Sequence, residues 1–87
     1  MRYNAAVRIV VRFFAILKDR AGVSQTTLDL PPGATVAAAV ESISAQFPAM
    51  SGDLKRVACA VNRTYEKRDT VLNEGDELAL IPPVSGG

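Results

Sequence analysis

Only one stretch of this sequence repeats its apolar residues convincingly at the period of an α-helix, and the rest of the chain must be built around it. Val36, Val40, Ile43 and Phe47 follow one another at spacings of four, three and four, which places them on one stripe of a 3.6-residue helix. Thr35 stands where an N-cap hydroxyl would accept a hydrogen bond from an otherwise orphan amide. Ala37, Ala38 and Ala39 add helix propensity without bulk, while Glu41, Ser42 and Gln46 supply a wetter side. Pro48 ends the helix, because the residue before a proline is pushed out of the α region. The spacing therefore predicts a helix over residues 35–47, roughly 18 Å long at about 1.5 Å per residue. A lone amphipathic helix has no second helix to bury its stripe and needs a sheet.

The remaining apolar segments are patterned as strands. Residues 7–14 are rich in β-branched and aromatic side chains. Alternation puts Val7, Ile9, Val11 and Phe13 on one face, the expected core face, and Arg8, Val10, Arg12 and Phe14 on the other. Residues 15–20 read as a loop with one turn, ended by Gly22. Residues 25–30 read as a second strand with Leu28 and Leu30 inward, stopped by Pro31-Pro32-Gly33. Residues 49–56 read as loop, 57–62 as a third strand with Val57, Cys59 and Val61 alternating, and 63–69 as a charged turn. Residues 70–72 suit a very short strand, Asn73-Glu74-Gly75-Asp76 a turn, and 77–81 the last strand. This order predicts an α+β two-layer domain, a mixed sheet of four to five strands packed on one main helix. It is compatible with a β-grasp arrangement, in which the first and last strands lie parallel at the centre. A ferredoxin-like fold would need a second helix, and residues 62–77 offer no apolar stripe for one.

Composition removes several kinds of function. The chain has 87 residues, enough for one core, and 48% of them are hydrophobic. Ten basic against nine acidic residues leave a net charge of +1, which argues against a dedicated nucleic-acid binder. There is no histidine, so the usual neutral-pH acid/base, the commonest metal ligand and any Ser-His-Asp or Cys-His arrangement are absent. No metal site is expected. Cys59 is the only cysteine and has no intramolecular disulfide partner; its alternation with Val57 and Val61 reads as a small buried hydrophobe. Arg63, Lys67 and Arg68, offset by Glu66 and Asp69, read as a solvated turn. No run approaches the roughly 20 apolar residues of a membrane span and no targeting segment is visible, so a soluble cytoplasmic protein is expected.

With the interior so empty of chemistry, the last residues draw the functional reading. The sequence closes on Pro82-Pro83-Val84-Ser85-Gly86-Gly87. The prolines stiffen the exit from the last strand, and the two glycines impose almost no steric demand. Residues 83–87 reach roughly 17 Å when extended, enough to carry a terminal carboxylate into a narrow pocket of another protein. A carboxylate is a poor electrophile until it is activated. As an acyl-adenylate it has a good leaving group, and a sulfur or amine nucleophile can displace AMP. An ATP-using partner would have to do that work. A frayed terminus is the competing interpretation.

Longer motifs narrow the choice. Residues 75–87, Gly-Asp-Glu-Leu-Ala-Leu-Ile-Pro-Pro-Val-Ser-Gly-Gly, resemble the closing motif of the small, sulfur-carrying subunits of molybdopterin synthase, within the ubiquitin-like sulfur-carrier family. The opening Val11-Arg12-Phe13-Phe14-Ala15-Ile16-Leu17-Lys18, the helix entry Pro32-Gly33-Ala34-Thr35-Val36 and the pair Val61-Asn62 are similar to that family too. The resemblance implies a β-grasp, ubiquitin-like fold, with residues 1–6 an extension, 7–82 the domain and 83–87 a flexible tail. It implies that Gly87 is adenylated by a ubiquitin-activating-like adenylyltransferase, receives sulfur from a donor protein and becomes a thiocarboxylate. Gly86, Ser85, Val84 and Pro83 would insert with it into the large subunit, where the sulfur passes to cyclic pyranopterin monophosphate to build the molybdopterin dithiolene. The implied assembly is a heterotetramer with catalytic lysines on the large subunit, so none of Lys18, Lys55 and Lys67 inherits that role. No cofactor is bound directly; ATP belongs to the activating partner. Arg12, Phe14, Leu80 and Ile81 are the expected partner interface, since aromatic and arginine side chains are enriched at such surfaces. A thiamine-pathway sulfur carrier, a protein modifier conjugated through Gly87 and a plain interaction module stay open as alternatives.

Overall fold

The computed structural model describes residues 6–83. Its first strand, β1 (Val7–Phe13), is followed by a short helix, α1 (Ile16–Ala21), and by β2 (Gln25–Leu30). The main helix, α2 (Val36–Gln46), leads into two turns of 3-10 helix, Pro48–Met50 and Asp53–Arg56, and then β3 (Ala58–Val61), β4 (Thr64–Tyr65) and β5 (Glu77–Ile81). The five strands form one sheet in the order β2-β1-β5-β3-β4. β1 and β5 are parallel neighbours, with Val11 beside Leu78 and Phe13 beside Leu80. β2 runs antiparallel to β1, and β3 antiparallel to β5. This is the β-grasp pairing, with the two terminal strands together at the centre.

α2 forms as its stripe and caps dictate. The Thr35 hydroxyl accepts from the Ala38 amide at 3.3 Å, and the Val36 and Ala37 amides donate to the carbonyls of Thr70 and Arg68, both at 2.9 Å. Three of the donors that a helix start leaves unpaired are thus filled. Val36, Ala39, Val40 and Ile43 are buried against the sheet, and each of the larger three contributes about 1.5–3 kcal/mol of hydrophobic stabilisation. Pro48 turns Phe47 out of the helix at φ −126° and ψ 72°. The Phe47 ring then meets the edge of Phe13, centroids 5.4 Å apart and planes at 75°.

Several segments differ from their sequence reading. Residues 16–21 form a six-residue helix rather than a loop with a single turn, because Leu17 anchors it in the core and Gly22, at φ 78°, closes it in the left-handed conformation. The segment 49–56 is two 3-10 turns that bury Met50 and Leu54. The charged turn at 63–69 contains β4, joined to β3 by the two-residue hairpin Asn62-Arg63, both at positive φ, the signature of a type I′ turn. Arg68 is no mere solvated charge, since its Nη2 donates to the Leu54 carbonyl at 3.1 Å. Residues 70–72 add an isolated bridge, Val71 to Thr35, in place of a strand.

Asn62 ties the hairpin to the centre of the sheet. Its side-chain amide donates to the Asp76 carboxylate at 2.9 Å, and its Oδ1 accepts from the Glu77 amide at 2.9 Å. It also holds φ 50°, which asparagine tolerates better than most residues. Asn62→Ala is expected to lower the unfolding free energy by about 2–3 kcal/mol, from two lost hydrogen bonds and a strained backbone. A chemical denaturation midpoint unchanged from wild type would refute this account of the clamp.

Candidate functional site

The sheet has one covered face and one open face. On the open face the register aligns Arg12 of β1 with Ala79 of β5, Ala79 with Ala60 of β3, and Ala60 with Tyr65 of β4. Small side chains at the middle of this row leave a trough of about 230 Å³, lined by Arg12, Phe14, Ala60, Arg63, Tyr65, Glu77, Ala79 and Ile81. Phe14 is 39% exposed and Tyr65 70% exposed, so two aromatic rings border an alanine floor. The Arg12 guanidinium sits 5.6 Å from the Phe14 ring centroid, a cation–π distance, and its Nη1 donates to Glu77 Oε2 at 3.2 Å. Arg12 Nε is buried and has no hydrogen-bond acceptor among the described residues.

Three of the four residues expected at a partner interface therefore share one concavity: Arg12, Phe14 and Ile81. Leu80 does not, and this corrects the sequence reading. It is 0% exposed and stands in register with Phe13 and Cys59, both core residues. Neighbouring residues of a strand point to opposite faces, so Leu80 and Ile81 have no common surface. Its place on the open face is taken by Ala79. The sequence reading also missed Ala60, Arg63, Tyr65 and Glu77. The available signal was the two-residue period, which sends Ala58, Ala60 and Ala79 away from the core once β5 is known to lie between β1 and β3.

The corner after β1 is strained. Ala15 takes φ 51° and ψ −126°, the conformation of the first central residue in a type II′ turn, where glycine is normal. The Leu17 amide donates to the Phe14 carbonyl at 3.0 Å and closes that turn. Such a backbone costs of order 1–3 kcal/mol. It leaves Phe14 and Ile16, each 39% exposed, on the surface while Phe13 and Leu17 are buried.

β5 ends beside this corner. Pro82 is half-buried and Pro83 exposed. Together they line a second concavity of about 760 Å³ with Ala15, Ile16, Gly52, Asp53, Lys55 and Arg56. Val84, Ser85, Gly86 and Gly87, the expected tail and its reactive terminus, lie outside the described residues, as do positions 1–5 of the expected extension. Cys59 is buried, and burial pushes its thiol pKa up, which suits a packed hydrophobe rather than a nucleophile. Among the described residues no group of acidic, cysteine or histidine side chains is placed to hold a metal ion, and no helix is long and apolar enough to cross a membrane.

Comparison with known proteins gives consistent findings. The sequence profile of the ThiS family matches residues 11–87. The chain is 34% identical over 84 residues to a molybdopterin synthase sulfur carrier subunit of Arabidopsis thaliana, covering 97% of this chain and 88% of that one. It is 36% identical over 83 residues to the subunit of that name from Chlamydomonas reinhardtii, covering 93% of this chain and all of the other. Among solved structures, small archaeal modifier protein 1 of Haloferax volcanii superposes with a TM-score of 0.85 at 26% identity, over 90% of this chain and 99% of that one.

Proposed function

The chain belongs to the ThiS family of ubiquitin-like sulfur carriers, and from that premise we propose that it serves molybdopterin synthase as the subunit that brings sulfur on Gly87. The observation that carries this reading is the 34% identity with a sulfur carrier subunit over 97% of the chain. The protein is a carrier rather than a catalyst. The Gly87 carboxylate attacks the α-phosphorus of ATP on an activating enzyme and expels pyrophosphate. Sulfide-level sulfur released by a donor protein then attacks the acyl carbon and expels AMP, and the terminus leaves as a thiocarboxylate. Inside the large subunit the thiocarboxylate sulfur bonds to a carbon of cyclic pyranopterin monophosphate in place of an oxygen leaving group. Water then cleaves the acyl–sulfur bond, which leaves the sulfur on the pterin and returns the carrier to its carboxylate form. Two such deliveries complete the dithiolene, in a cytoplasmic assembly of two small and two large subunits.

This chain's own part is presentation. β5 is held on both sides, by β1 and β3, and gives the tail a rigid base. Arg12, Phe14 and Ile81 supply the docking surface, with Tyr65 and Ala79 beside them. The Arg12 guanidinium, held by Glu77 and lying beside the Phe14 ring, presents a fixed cation at this surface. Pro83, Val84, Ser85 and Gly86 thread the channel, where the absence of a Cβ at the last two positions admits the reacting carbon.

Intact mass before and after exposure to activating enzyme, ATP and a sulfur donor tests the reading. One oxygen exchanged for one sulfur is expected, and the gain should vanish when the pterin precursor and large subunit are added. An unchanged mass with competent partners would sink it. Similarity to a small archaeal modifier protein favours a second reading, conjugation of Gly87 to lysines of other proteins. Isopeptide-linked remnants of the tail on cellular lysines are its expected trace.

A further inference from the structure

The base of the tail is straddled by two concavities that share its flanking elements residue by residue. At the β1–α1 corner, Phe14 lines the open-face trough while Ala15 and Ile16 line the second groove. At the end of β5, Ile81 lines the trough while Pro82 and Pro83 line the groove. A partner that admits the tail must bring its channel mouth down around Pro82 and Pro83, and so must cover part of the groove as well as the trough.

The groove has a definite character. Its lining combines apolar Ile16, Pro82 and Pro83 with charged Asp53, Lys55 and Arg56. Asp53 is already engaged, since Arg20 Nε donates to its carboxylate at 2.8 Å. Lys55 and Arg56 are exposed, and among the described residues neither takes part in an ion pair. Two cations without an ion pair among the described residues therefore stand beside apolar side chains next to Pro82 and Pro83. The trough holds one such cation, Arg63, since its Arg12 is paired with Glu77.

We propose that the groove formed by Ile16, Lys55, Arg56, Pro82 and Pro83 is a second docking site for the large subunit, and that it receives an acidic segment carrying an apolar side chain. The inference rests on the carrier reading above and specifies its partner's surface. Charges at a rim act mainly on encounter and register, raising the association rate at low salt. The trough contributes apolar contact, and the groove orients the carrier so that the tail meets the channel mouth.

Association of the full-length carrier with the isolated large subunit, followed by stopped-flow at several salt concentrations, tests this. Lys55→Glu combined with Arg56→Glu is expected to slow association by about 10- to 100-fold at low salt and to flatten or invert the salt dependence. Lys67→Glu, which lies in neither concavity, should change the rate by less than about twofold at equal ionic strength. Circular dichroism checks the fold, which exposed substitutions should leave intact. If the double variant associates as wild type does, or if Lys67→Glu slows association as much, the groove proposal is overturned while the carrier reading stands. If the wild type itself neither binds the large subunit nor delivers sulfur to it, the carrier reading fails and the groove proposal with it.

Discussion

Deleting Gly87 is expected to abolish sulfur delivery while shifting the unfolding free energy by no more than about 0.5 kcal/mol. Among the described residues the hydrophobic core runs from Ile9 to Leu80, and Pro82 and Pro83 are not part of it. On the carrier reading, delivery by contrast depends on where one carbon sits. Loss of one residue withdraws the terminal carboxylate by about 3.5 Å, and a misplacement of even about 1 Å can cost a hundredfold in rate. The shortened chain would still end in glycine, so its failure would reflect reach rather than chemistry. Gly87→Ala is the complementary variant, with full length restored and a Cβ at the reacting residue. It should fold normally and transfer sulfur far more slowly. Normal thiocarboxylation and dithiolene formation by the chain lacking Gly87 would contradict the assignment of the reactive group.

The second large effect separates two adjacent aromatic residues. Phe13→Ala is expected to destabilise the protein by about 3–5 kcal/mol. Phe13 is 2% exposed, stands beside Leu80 in the central parallel pair and packs edge-on against Phe47. Total stabilities of small domains lie near 5–15 kcal/mol, so this one change would leave a large unfolded fraction. Phe14→Ala removes a ring of similar size from the open face, where it packs near Arg12. Its expected cost to stability is about 0.5 kcal/mol or less, but affinity for the large subunit should fall at least tenfold, as for an aromatic anchor. Calorimetric unfolding and titration with the partner measure the two quantities separately. A Phe14→Ala variant that binds with wild-type affinity would move the docking surface off this face.

The contrast shows what the sequence carried and what it left hidden. The two-residue period separated Phe13 from Phe14 from β1 alone, because a seven-residue strand gives enough alternation to set its faces. α2 was legible for a similar reason, since its stripe, Thr35 cap and Pro48 stop agree. β4 was not, because its type I′ turn puts Arg63 at φ 73°, where glycine is the usual marker. α1 buries only Leu17 outright, so it has no stripe to betray it. Met50 and Leu54 were concealed among Ser51, Gly52, Asp53 and Lys55, polar neighbours that give the segment a loop's composition. The open-face trough depends on strands far apart in the chain coming into register, and no local pattern states that register. The central pairing of β1 with β5 was compatible with the strand order, but long-range contact decides it.

That pairing bears on when a newly made chain becomes usable. β5 is the last strand in sequence and the middle one in space. Until it arrives, the remaining strands are two separate hairpins, β1 with β2 and β3 with β4, and isolated hairpins are marginal in water. The middle of the trough, Glu77, Ala79 and Ile81, and the edge of the groove at Pro82 and Pro83 wait for this one strand. The sheet therefore closes and both concavities are completed as one event. On the carrier reading, a chain whose sheet has not closed lacks the docking surface, so the topology would reserve partner recognition for carriers that have folded.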